Sequence, residues 1–162
     1  MRTLFLLTTI VLSLKVGDKV PAFTLNDQDG KPFSITDVIG KKVLVIYFYP
    51  KDESYVCTKE ACAFRDNYAD FVKKGALVIG INAGTVESHR AFRQKDNLPF
   101  ILLSDPGNTV LKAFGVKGSL GMTGRETFVV GLDGKVAFTY NSMLNGKRHM
   151  EEALDFIAKM NP

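Results

Sequence analysis

The chain has two thiols, Cys57 and Cys62, separated by five positions. Cys57 follows Pro50 and Ser54 and stands where a proline-broken loop gives way to a helix-like segment. A thiol at a helix entrance meets unpaired backbone N–H groups and the positive end of the helix dipole, and both favour its anion. The thiolate is the nucleophilic form of cysteine, so this is a place to expect chemistry on an electrophile. Ser54 can supply a hydroxyl there, and Lys51, Lys59 and Arg125 are candidate cations. The bland alternative is a buried structural thiol, since free cysteine is among the most buried residue types.

The spacing constrains what the pair can do. In an intact helix, five residues at 1.5 Å rise put the two Cα atoms roughly 8–9 Å apart and on different faces. A disulfide needs them within about 7 Å. A Cys57–Cys62 bond therefore requires the first turns of the helix to unwind. That argues against a permanent bridge and for a bond made and broken in a cycle. A reactive thiol with a second thiol nearby is the layout for reversible oxidation. The first attacks an oxidant and becomes a sulfenic acid, and the second condenses with it to release water. A peroxide suits this chemistry because its weak O–O bond needs only a nucleophile and hydrogen bonds to the departing oxygen. The spacing departs from Cys-x-x-Cys, which disfavours a thioredoxin-type disulfide exchanger.

The elements around the thiols have legible patterns. Val43 to Tyr49 is an unbroken apolar, β-branched and aromatic run, which predicts a central strand buried on both faces. From Glu60 the apolar residues recur at three and four, predicting one helix to Lys74 that Gly75 ends. Before this unit, Ala22–Leu25 and Phe33–Ile35 read as a hairpin across Asp27–Lys31. After it, Ala76–Asn82 and Pro99–Leu103 read as strands, with a helix between them capped by Thr85. Asn108 is expected to cap a short helix over 109–114. Asp133-Gly134 predicts a hairpin joining Arg125–Val130 to Lys135–Tyr140. A last helix runs from Lys147 to Lys159, with Met150, Leu154, Ile157 and Ala158 as its buried face. The expected fold is α/β, a mixed β-sheet flanked by helices with an N-terminal β-hairpin.

The chain's 162 residues suit one full-core domain over 14–162, and no composition shift divides it. The net charge of +4 is dispersed among 17 acidic residues, and no basic block with interleaved aromatics points to nucleic acid. Two cysteines are too few for a disulfide framework or a structural zinc site. His89 and His149 lie in polar, helix-like segments and read as surface residues, so no metal or other cofactor is expected. Residues 1–13 stand apart. Met1-Arg2, the apolar run Thr3 to Leu12 and the small Ser13 read as a short targeting signal or as an N-terminal extension of the domain. The run is too short to span a bilayer. Export to a secretory or organellar compartment and a cytoplasmic location both remain open.

At the thiols the sequence resembles a peroxiredoxin, and within that family the peroxiredoxin Q or bacterioferritin comigratory protein group. The pattern Pro, three residues, Thr or Ser, two residues, Cys reads here as Pro50-Lys51-Asp52-Glu53-Ser54-Tyr55-Val56-Cys57. Thr58 to Asp66, with the second cysteine, is similar to the helix of that group. So are Val16 to Pro21, Val86 to His89, Leu98 to Phe100, Leu103 to Asp105 and Gly124 to Val129. The resemblance implies a thioredoxin-like fold and reduction of hydrogen peroxide and alkyl hydroperoxides. It implies that Cys57 is the peroxidatic residue and Cys62 the resolving one, with thioredoxin or a similar dithiol protein as reductant. Pro50 would shield the thiolate, Ser54 would hydrogen-bond thiolate and peroxide, Arg125 would favour the thiolate and polarise the peroxide, and Glu60 would orient the arginine. A monomer is common in the group. The chain departs from the group at Tyr55-Val56, where Pro-Gly is usual, and at Ser54, where Thr is usual. Two other readings stand beside this one: a protein dithiol–disulfide oxidoreductase, and a redox-controlled binding or holdase module whose unwound helix exposes Phe64 and Tyr68.

Overall fold

The computed structural model describes residues 12–118 and 123–160. The run Thr3 to Leu12 lies outside them apart from Leu12. In chain order the elements are β1 (Thr24–Asp27), β2 (Pro32–Ser34), β3 (Val43–Phe48), α1 (Tyr55–Asp66), α2 (Tyr68–Lys73), β4 (Ala76–Asn82), α3 (Val86–Lys95), β5 (Ile101–Ser104), α4 (Thr109–Ala113), β6 (Glu126–Val130), β7 (Val136–Asn141) and α5 (Gly146–Met160). The seven strands form one sheet in the order β2-β1-β5-β4-β3-β6-β7. The pairs β3–β4 and β4–β5 are parallel. The pairs β3–β6, β6–β7, β1–β2 and β1–β5 are antiparallel.

Every residue of β3 is buried, as its unbroken apolar run predicts. Its side chains alternate between two cores, because successive Cβ atoms point to opposite faces. Val43, Val45, Tyr47 and Tyr49 join the layer filled by α1, α2, α3 and α5. Leu44, Ile46 and Phe48 join the layer beneath α4 and the N-terminal hairpin. The parallel centre covered on both faces is the arrangement a βαβ connection enforces. The antiparallel register Phe48↔Glu126 then brings the start of β6 beside the end of β3, where the loop to α1 begins.

Several local expectations shift. The predicted single helix to Lys74 is two, α1 and α2, broken at Asn67, whose side-chain amide donates to the Ala63 carbonyl (2.9 Å) and competes with the helical ladder. Asn108 precedes α4 in a left-handed conformation without a capping bond. The Asp105 carboxylate does that work, accepting from the N–H groups of Val110 and Leu111. Thr85 caps α3 as expected, accepting from the Ser88 N–H at 3.1 Å. On α5 the buried residues are Gly146, His149, Met150, Ala153 and Ile157, Leu154 packs partly buried against the same core, and Ala158 points to solvent.

Candidate active site

Ser54 is the N-cap of α1, in extended conformation, and its carbonyl accepts the first helical bond from Thr58 N–H at 2.8 Å. Cys57 is then the third residue of the helix, in the turn whose N–H groups have no helical partner. Its side chain is buried against the core between β3 and α5. Cys62 is half-buried on the same helix, and both cysteines are free thiols. Burial raises the Cys62 thiol above its usual range, only partly opposed by Arg65.

Among the described residues one cation reaches Cys57. Arg125 comes from the residue preceding β6, is buried, and places Nη2 at 3.1 Å from Cys57 Sγ. Its Nε donates to the Met143 carbonyl at 3.1 Å, and Nη1 donates to Glu60 Oε2. Each guanidinium nitrogen has its own acceptor, so the plane of the group is fixed. Burial opposes its charge, but Glu60 and Cys57 overcome that and raise its pKa. Lys51 is exposed, and Lys59 stacks over the Tyr55 ring at 4.4 Å, so neither candidate lysine serves the thiol.

Glu60 sits one turn after Cys57 and is fully buried. Burial raises its carboxyl, and the Arg125 guanidinium beside it pulls the other way and favours the carboxylate. Its second oxygen, Oε1, has no hydrogen-bond partner and lies 3.7 Å from His149 Nδ1. The Ser54 hydroxyl donates to the Lys51 carbonyl at 3.2 Å, holding its own loop instead of reaching the sulfur.

The loop before α1 is pinned by a residue the sequence did not single out. Asp52 is buried, and four donors converge on its carboxylate. Oδ1 accepts from Tyr49 Oη (2.7 Å) and Asn82 Nδ2 (3.1 Å), and Oδ2 from Ser88 Oγ (2.7 Å) and His89 Nδ1 (2.6 Å). Burial works against its charge, but the His89 contact and the hydroxyls outweigh that and hold its carboxyl below the usual range. His89 is buried with both ring nitrogens facing acceptors, Asp52 and the Leu103 carbonyl. His149 is equally buried. Both histidines read as surface residues in the sequence, and both belong to the interior. Their period was the available signal: His89 stands three before Phe92, and His149 four before Ala153, each on the inward stripe of its helix.

On the loop before α1 and the first residues of that helix opens a cavity of about 500 Å³, lined by Pro50, Ser54, Tyr55, Val56, Arg125 and Leu144 among others. Tyr55 and Leu144 are 74% and 83% exposed, so its mouth presents apolar side chains to solvent. Among the described residues no group of three or more His, Cys, Asp and Glu is placed to hold a metal ion. A buried thiol at hydrogen-bond distance from a guanidinium that lines an open and mostly apolar cleft can attack a small electrophile and stabilise charge on the atom it displaces.

Residues 16–139 match the AhpC/TSA family model. The chain is 47% identical over 154 residues to chloroplastic peroxiredoxin Q of Suaeda salsa, covering 94% of this chain and 72% of the relative. It is 47% identical over 150 residues to that of Arabidopsis thaliana, covering 91% and 69%. Among solved structures it resembles peroxidoxin BcpB from Mycobacterium tuberculosis, with a TM-score of 0.85 and 34% identity over 92% of this chain and 99% of the other. It also resembles a PrxQ mutant from Xylella fastidiosa, with a TM-score of 0.84 and 26% identity over 92% and 98%.

Proposed function

This chain belongs to the AhpC/TSA family, and from that membership we propose how its residues divide the work of a thiol-dependent peroxidase of the peroxiredoxin Q kind. The Cys57 thiolate attacks one oxygen of a hydroperoxide. The S–O bond forms as the O–O bond breaks. Sulfur loses two electrons and becomes a sulfenic acid, and the alkoxide or hydroxide takes up a proton and leaves as alcohol or water. Arg125 Nη2, 3.1 Å from Sγ, lies where it can donate both to the sulfur and to the peroxide beside it. Pro50 and Val56 wall the cleft, and Ser54 lines it. Glu60 holds the arginine in plane.

In the second half-reaction the Cys62 thiol displaces hydroxide from the sulfenic acid, giving water and a Cys57–Cys62 disulfide. The opening of α1 that this needs runs against the packing of Cys57 and Phe64 in the core. A dithiol protein of the thioredoxin type then returns both thiols by exchange. We also read the chain as acting as a monomer. The apolar segment Thr3 to Leu12 is read as a targeting signal, a reading supported by relatives whose names place them in chloroplasts.

The observation that carries this reading is the contact of a buried Cys57 with Arg125, a side chain that itself lines an open cleft. Cys57→Ser should abolish peroxide consumption. Cys62→Ser should reduce one equivalent of peroxide per chain and then fail to cycle with thioredoxin. Peroxide consumption retained by Cys57→Ser would overturn the assignment.

A further inference from the structure

We propose that His149 is a positioning residue for this site: from the buried face of α5 it bonds the strand to the loop and packs beside the helix carboxylate, the three groups that aim Arg125 at the Cys57 sulfur. The consequence for catalysis rests on the peroxidase reading above, but the geometry does not.

Three contacts make the case. His149 Nε2 is 2.8 Å from the Ser142 carbonyl, an acceptor only, so Nε2 carries a hydrogen and donates it. Ser142 precedes Met143, whose carbonyl receives Arg125 Nε. His149 Nδ1 is 2.8 Å from Thr127 Oγ1. In a neutral ring whose Nε2 is protonated, Nδ1 accepts and the Thr127 hydroxyl donates. Thr127 is two residues from Arg125, so the two side chains leave the chain on the same side of the sheet. The same Nδ1 is 3.7 Å from Glu60 Oε1, the carboxylate oxygen without a hydrogen-bond partner, while Oε2 holds Arg125. One imidazole therefore hydrogen-bonds β6 and the loop between β7 and α5 and lies beside Glu60 of α1, the three elements that fix the guanidinium.

The charge state follows from the neighbours. From α1 the ring meets Glu60, from the start of β6 it stands near Arg125, and from β7 the Tyr140 ring packs edge-on at 4.8 Å. On α5 itself Arg148 turns outward to Glu152. Burial, with Arg125 nearby, pushes the imidazole down to about 4 even though the Ser142 carbonyl favours its proton. A neutral ring leaves the Glu60 charge to Arg125. A protonated Nδ1 would lose its bond from Thr127 and compete with Arg125 for the carboxylate.

The test uses the Cys62→Ser background, so that alkylation reports Cys57 alone. Iodoacetamide alkylation is followed over about pH 4 to 10, and the rate of oxidation by peroxide is measured beside it. His149→Leu should move the half-alkylation pH of Cys57 upward by about one unit and slow oxidation about tenfold. His149→Gln, whose amide can donate to the Ser142 carbonyl, should recover most of both. Thr127→Val, nearly isosteric, should raise the half-alkylation pH by about half a unit and slow oxidation roughly threefold. If His149→Leu does not fold, Thr127→Val decides. A folded variant with an unchanged alkylation profile and oxidation rate overturns the positioning role. An alkylation shift in a protein that proves to consume no peroxide would instead remove the peroxidase reading and leave His149 in place.

Discussion

Glu60 and Arg125, 65 positions apart in sequence, form an ion pair with side-chain exposures of only 0% and 3%. The pair links the first turns of α1 to the entrance of β6. The same guanidinium spans Glu60, the Met143 carbonyl and the Cys57 sulfur. A fixed planar fork with separate N–H groups is what lets one side chain satisfy three acceptors in one orientation.

Arg125→Lys should therefore behave as a severe change despite keeping the charge. An ammonium cannot reach all three acceptors from one position, so Glu60 or the sulfur loses its donor. The second-order rate constant for Cys57 oxidation should fall about 100-fold, a loss of about 2.7 kcal/mol in transition-state stabilisation. Stopped-flow fluorescence or competition with a reporter peroxidase reads it. A loss below about threefold would mean that charge alone suffices.

Asp52→Asn should weaken the fold in a pH-dependent way. The Asp52 carboxyl is held below its ordinary value, so its stabilisation is present above about pH 4 and is lost as pH falls through the lower folded value. At pH 7 the variant should be less stable by about 2–4 kcal/mol, because His89 and two hydroxyls lose a buried anionic partner. Denaturant titrations at pH 7 and near pH 3 should show the gap between wild type and variant closing in acid. A constant gap would show that shape, not charge, matters at Asp52.

Leu144 is 83% exposed at the mouth of the cleft. A large apolar hydroperoxide that covers it gains the burial of a leucine side chain, and hydrogen peroxide gains nothing from it. Leu144→Ser should raise KM for cumene hydroperoxide about five- to tenfold while leaving hydrogen peroxide within about twofold. Equal effects on both substrates would separate Leu144 from substrate binding.

Gly146 opens α5 at a point of close approach to α1. A Cβ there would lie 2.6 Å from the Val56 carbonyl oxygen and 3.0 Å from Glu60 Cβ. Gly146→Val should push the two helices apart, lower stability by about 1–3 kcal/mol, and disturb Glu60 directly. The melting temperature should drop by several degrees, and oxidation of Cys57 should slow with it. Unchanged values would show that the two helices separate without strain.

Much of the site is contiguous and so was open to reading in the sequence. Pro50, Ser54, Cys57 and Cys62 fall within one strand–loop–helix unit, and helical geometry alone constrains how the two thiols can meet. The buried β3 run and the Asp133-Gly134 hairpin are equally local, since backbone propensity and side-chain period are properties of neighbouring residues. The tertiary structure decided which polar residues turn inward. Glu60, His89 and His149 sit among polar neighbours in sequence, and their burial depends on partners supplied from elsewhere in the chain: Arg125, Asp52 and Thr127. The Met143 carbonyl carries no side-chain signal at all, yet it helps fix the guanidinium. The physical reason is that hydrophobic periodicity records the cost of exposing apolar surface. A buried charge is tolerated only where a distant partner satisfies it, and sheet register, here Phe48↔Glu126, decides which distant residues meet.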